Sequence, residues 1–135
     1  MEFRNDFWFL SNMCEVPITY RGLTYKCVES AFQAQKCPDR AEEFVNLRGF
    51  EAKRLGKQVK LRQDWSTVKL HLMFKLLNIK FSIPEYRDKL LRTGDVEIVE
   101  DNTWRDTYWG RYKGKGENAL GKLLMCIRHN IRNNS

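Results

Sequence analysis

Trp65-Ser-Thr-Val-Lys-Leu-His-Leu-Met-Phe-Lys-Leu-Leu-Asn-Ile-Lys-Phe81 reads as the main core helix of this chain. Trp65, Val68, Leu72, Leu76 and Ile79 recur at three- and four-residue steps, the spacing that lines up side chains on one helical face. Met73 and Leu77 widen the stripe. Asp64 stands where an N-cap belongs, and Lys80 lies at the far end, where a cation suits the helix dipole. Leu120, Leu123, Leu124, Ile127 and Ile131 repeat the pattern and predict a closing helix.

Val16–Tyr20 and Leu23–Val28 are rich in β-branched and aromatic types and flank Arg21-Gly22, which predicts a two-stranded hairpin. The helix expected next should end at Cys37-Pro38, because the residue before a proline avoids the helical region. Asp39 and Glu42 form a capping-box pattern for a short helix closing near Gly49. Phe50 to Arg62 carries Lys53, Arg54, Lys57, Lys60 and Arg62, either a solvated face or an anion site. Ser82-Ile-Pro-Glu85 reads as a capped start of a helix that stops before Gly94, and Val96–Val99 as a short strand or extended piece. The expected fold is mainly α, about six helices with a small N-terminal β-hairpin, in a single compact domain over residues 1–135.

Composition narrows the function. A formal charge of +7 and a pI near 9.4 favour an anionic partner such as nucleic acid, a nucleotide or a phosphorylated metabolite, unless they mark only a basic surface. Cys14, Cys27, Cys37 and Cys126 are scattered, as are His71 and His129, without the paired spacing of zinc ligands. Free thiols in a reducing compartment, and no metal, are expected. No run approaches the roughly 20 apolar residues of a membrane span. The start, Met1 to Asp6, lacks a signal peptide's layout, so a cytoplasmic protein without a membrane partner is expected.

Two segments carry candidate chemistry. In Glu29-Ser-Ala-Phe-Gln-Ala-Gln-Lys36 a helix would turn Glu29, Gln33 and Lys36 toward nearly one side. That grouping is either an exposed ion pair or an acid and amine lining a polar pocket. The second segment runs from Asp101 to Gly121. Trp104, Tyr108, Trp109 and Tyr112 offer flat faces for a base or sugar, or core packing, and Asp106 among them is a candidate general acid or base. Gly114 and Gly116 lead into a helix start, where backbone N–H groups with Lys115 adjacent would suit a phosphate. Asn118 is either part of that site or a helix cap.

Phe9-Leu-Ser-Asn12, Gly22-Leu-Thr-Tyr25, Glu29 to Lys36, Ala52-Lys-Arg-Leu-Gly56, Trp65, Asn102-Thr-Trp104, Asp106-Thr-Tyr-Trp109-Gly110 and Gly114 to Met125 together resemble the YbiA-like, or NADAR, family. The resemblance runs in order from about residue 3 to 132; Met13-Cys14 departs from it, standing where members often have an aromatic residue and a proline. It implies a mostly helical domain that breaks a ribosyl C1′–N bond. Its implied substrates are ADP-ribose on guanine, and hence reversal of DNA ADP-ribosylation, or riboflavin-pathway ribosylamine phosphates. Glu29, Lys36 and Asp106 are then the expected catalytic residues. Phe9, Asn12, Trp65, Trp104, Trp109, Gly110, Lys115, Gly116 and Asn118 are the expected substrate contacts. Either a lysine nucleophile or a carboxylate that activates water would serve, and neither needs a cofactor. On this reading Glu29 and the tryptophan-rich loop serve the same sugar. A basic module that binds ADP-ribose or nucleic acid without cutting it is the competing expectation.

Overall fold

A computed structural model describes residues 1–134. The chain divides into two compact units, one of Asn12–Lys80 and one that joins Met1–Ser11 to the segment from Phe81 onward.

In the first of these, strands β1 (Ile18–Tyr20) and β2 (Leu23–Tyr25) pair antiparallel, with Thr19 opposite Thr24. Arg21 and Gly22 both take positive φ, 50° and 82°, the two-residue turn whose twist matches a hairpin. Helix α1 (Val28–Ala34) follows and is almost wholly buried. Its end is earlier than the proline requires: Gln35 and Lys36 close it with N–H bonds to Phe32 and Gln33. Pro38–Phe44 is a 3-10 helix with Cys37 at its N-cap, so the expected Asp39/Glu42 capping box does not form; proline at the first position sets the start instead. Gly49 does not close that helix but opens α2 (Gly49–Gly56), where the Arg48 N–H donates to Glu51 at 2.8 Å. Of the basic stretch from Phe50 to Arg62, only the part up to Gly56 is in this helix.

Helix α3 (Trp65–Phe81) has the expected bounds. The Asp64 carbonyl accepts the first helical bonds, from Thr67 and Val68, while its carboxylate takes the Arg62 guanidinium at 2.6 Å. The buried face is rotated from the predicted stripe. Met73, Leu76, Leu77 and Lys80 follow the three-, four- and seven-residue spacing and are fully buried, whereas Trp65, Val68 and Ile79 are half-buried. Lys80 therefore extends the core face. Burial pushes its ammonium down to about 8, against the weaker opposing pull of the Cys14 and Cys27 thiols. Between about pH 8 and the ordinary lysine value, the unfolded chain binds the extra proton, so stability rises with pH across that window. Lys80→Met should raise the melting temperature at pH 7 and abolish this rise; an unchanged slope in thermal scans from pH 7 to 10 would refute the assignment.

In the second unit, a 3-10 helix (Asn5–Leu10) packs on α4 (Pro84–Arg92), which packs on α5 (Ala119–Asn133). Proline at the first position of α4 follows Ile83 at the N-cap, so no side-chain cap forms there. Val96–Val99 joins no ladder; the short parallel pair is β3 (Asp101–Asn102) with β4 (Arg111–Tyr112). Leu120, Leu124 and Ile127 of α5 are buried, and buried Arg128 donates to Thr93 Oγ1 at 2.8 Å. The fold is mainly α with the small hairpin, as expected, and no described helix is long and apolar enough to cross a membrane.

Candidate active site

The Glu29 segment is built as a polar cluster within the first unit. Hairpin strand β2 leads into α1, and the Glu29 N–H is held by the Asn12 carbonyl at 3.0 Å. One turn on, Gln33 Nε2 donates to Glu29 Oε2 at 2.8 Å, the four-residue relation expected on a helix. Lys36 lies at the end of the closing turn, half-buried, with its ammonium 5.8 Å from the centroid of Trp65. Trp65 also packs against Phe32, centroids 4.9 Å apart at 50°. Burial lowers the Lys36 amine below the ordinary lysine value; the Glu29 charge opposes this, and Lys53 and Lys57 of α2 reinforce it. An amine so placed is more available in its neutral, nucleophilic form than an exposed lysine.

Asn12 belongs to the same unit. Its Nδ2 reaches Met73 Sδ at 3.5 Å, and its buried Oδ1 has no hydrogen-bond partner among the described residues. An orphaned buried acceptor suits a hydroxyl or amino donor on a ligand. The departure at Met13 has a packing role: Met13 Sδ occupies the space that a side chain on Gly49 would need.

The tryptophan-rich loop of the other unit is organised by its own backbone. Asn102 brackets Asp106, donating to its carbonyl at 2.9 Å and accepting its N–H at 3.0 Å. Asp106 Oδ1 accepts the N–H groups of Tyr108 and Trp109, both at 2.9 Å, while Oδ2 has no partner among the described residues. Asp106→Asn keeps an acceptor for both N–H groups and removes the charge. It should leave the melting temperature within a few degrees and, if Oδ2 takes part in catalysis, lower turnover by about 10²-fold; kinetics alongside thermal unfolding check both.

The phosphate cradle expected at the start of α5 is overturned. The N–H groups of Glu117, Asn118, Ala119 and Leu120 donate to the carbonyls of Thr107, Gly110, Tyr108 and Trp109, at 2.7 to 3.2 Å. The loop itself satisfies that helix terminus, leaving these donors nothing for an anion. Gly114 and Gly116 serve backbone shape: Lys113 and Gly114 turn the chain at φ 51° and 76° between mutually bonded Tyr112 and Lys115. A side chain at Gly116 would strike the Gly110 carbonyl and Thr107. Gly110 in turn fits closely against the Glu100 carbonyl and the Asn102 amide. Asn118, 1 % exposed, spends its amide on the backbone of Ile98 and Glu100, at 2.9 and 3.0 Å, and caps nothing with its side chain. Its work is inside the loop. Trp104 is 56 % exposed and Lys115 is exposed, whereas Trp109 is half-buried and meets Tyr108 edge-on. Phe9 lines a cavity of about 270 Å³ with Asp6, Phe7, Lys89, Arg92 and Thr93.

Residues 2–132 match the NADAR domain family. The N-glycosidase YbiA of Escherichia coli (strain K12) is 38% identical over 134 residues, covering 94% of this chain and 83% of that protein. A riboflavin biosynthesis protein of Vibrio vulnificus is 33% identical over 132 residues, 92% of this chain but 35% of that protein. The solution NMR structure of E. coli YbiA superposes with a TM-score of 0.86 at 35% identity, over 99% of this chain and 83% of that one. With its Glu29 and tryptophan-loop motifs in place and nearly the whole length matched, the chain belongs to the NADAR domain family.

Proposed function

We infer that this protein is an N-glycosidase that hydrolyses a ribosyl C1′–N bond and that it removes ADP-ribose from guanine in nucleic acid. The observation that carries the reaction is the half-buried Lys36 amine, lowered in basicity by burial and set over Trp65 beside the Glu29–Gln33 pair. In the lysine route, Glu29 gives a proton to the ribose ring oxygen as the ring opens to an iminium between C1′ and the base nitrogen. Lys36 Nζ then adds to C1′, the C1′–N bond to the base breaks as that nitrogen takes a proton, and an imine to Lys36 remains. Water adds to the imine, releasing the lysine and the sugar aldehyde, which recloses. Asn12 Oδ1, of the same unit, is suited to a sugar hydroxyl.

The net charge of +7 and the Lys53 and Lys57 charges acting around Lys36 suit an anionic, phosphate-bearing substrate. With the start of α5 closed to phosphate, that recognition is assigned to these lysines. A second reading, hydrolysis of ribosylamine phosphates, is favoured by the Vibrio relative's name. Release of ADP-ribose from guanine-modified DNA, compared with hydrolysis of riboflavin-pathway ribosylamine phosphates at equal enzyme, separates the two. Greater kcat/KM on the DNA supports the first reading, and the reverse order replaces it with the second. Steeply salt-dependent binding without turnover of either would identify a binding module.

A further inference from the structure

Gln33 is 5 % exposed, and its two amide ends face different elements. Nε2 donates to Glu29 on its own helix, 2.8 Å away. Oε1 is buried without a hydrogen-bond partner among the described residues and lies against Gly56 of α2, where any Cβ would collide with it. The orientation follows from chemistry: turning the amide over would set its oxygen against the carboxylate and lose the donor. Leaving a buried carbonyl unmatched is unfavourable, and what the arrangement secures is the bond at the other end. Gly49, seven residues before Gly56, is close to Met13 Sδ and Glu29 Cβ, so both glycines lie where α2 faces the Glu29 segment.

The geometry points to Gln33 as the positioning residue for Glu29, with Gly56 leaving the space that the Gln33 amide fills. This rests on the N-glycosidase reading, in which Glu29 is the acid. A carboxylate held at one oxygen by a buried amide keeps its aim, and a loss of aim costs rate more than affinity. Gly56 is thereby linked to the chemistry without touching substrate.

The test combines a ¹³C NMR titration of the Glu29 carboxyl with steady-state kinetics on the wild type, Gln33→Leu, Gly56→Ala and the double variant. Because a donated N–H favours the ionised carboxylate, Glu29 should titrate at higher pH in both single variants. Turnover should fall by about 10²-fold with KM little changed. The double variant should be no worse than Gln33→Leu, since Gly56 acts through Gln33. An unmoved Glu29 titration in Gln33→Leu, or losses that add in the double variant, would overturn the assignment. If Gly56→Ala fails to fold, the Gln33→Leu titration alone decides. A moved titration in a protein that hydrolyses no N-glycoside supports the positioning role and places the failure in the proposed activity.

Discussion

Glu29→Gln is expected to lower turnover by about 10²-fold or more, the usual worth of a positioned general acid. The substitution is conservative for the fold. An amide oxygen can still accept from Gln33 Nε2, and the backbone bond from the Glu29 N–H to Asn12 is untouched. What disappears is the capacity to give and retake a proton while the ribose ring opens and the leaving nitrogen departs. KM should change little if Glu29 acts mainly in the transition state, because binding then does not depend on its proton. Steady-state kinetics with a thermal melt as control check this. A variant that only raises KM would make Glu29 a binding group and remove it from the role of acid.

Lys36→Ala should cost about 10²- to 10⁴-fold, and Lys36→Arg should not restore the rate. Arginine keeps the positive charge and its place over Trp65, but it stays protonated at all working pH values and cannot form an imine. Rescue by arginine would reduce Lys36 to an electrostatic role. The pH profile gives an independent sign. Burial, aided by Lys53 and Lys57, lowers the Lys36 amine, so the neutral form accumulates as pH rises through a value below that of an ordinary lysine. The rising limb of kcat should sit there. Lys53→Gln or Lys57→Gln removes a repelling charge and should move that limb to higher pH; a limb that stays fixed in both variants argues against the amine as nucleophile.

Much of this was legible locally. The Arg21-Gly22 turn, the α3 bounds and the Glu29–Gln33 pair all follow from spacing within a few residues, whereas Lys36 lies beyond the end of α1. What escaped depends on partners distant in sequence. Four consecutive N–H groups at the start of α5 look like an anion site until the loop carbonyls ten residues earlier are seen to take them. Lys80 reads as a helix-end cation, yet its seven-residue spacing from Met73 puts it on the core face. Gln33 is visible as one member of a polar trio. That its amide fills the space beside Gly56 depends on α2 lying against α1, which neither segment announces. The signal available beforehand was a pair of glycines seven residues apart in a basic helix, a spacing that keeps one face bare.

The lysine route passes through a covalent imine between the ribose C1′ and Lys36. Borohydride reduction of enzyme mixed with substrate, followed by peptide mass spectrometry, reads it directly. The predicted result is a sugar adduct on the peptide containing Lys36, absent from Lys36→Ala. No trapped mass, together with full activity in Lys36→Ala, would contradict it.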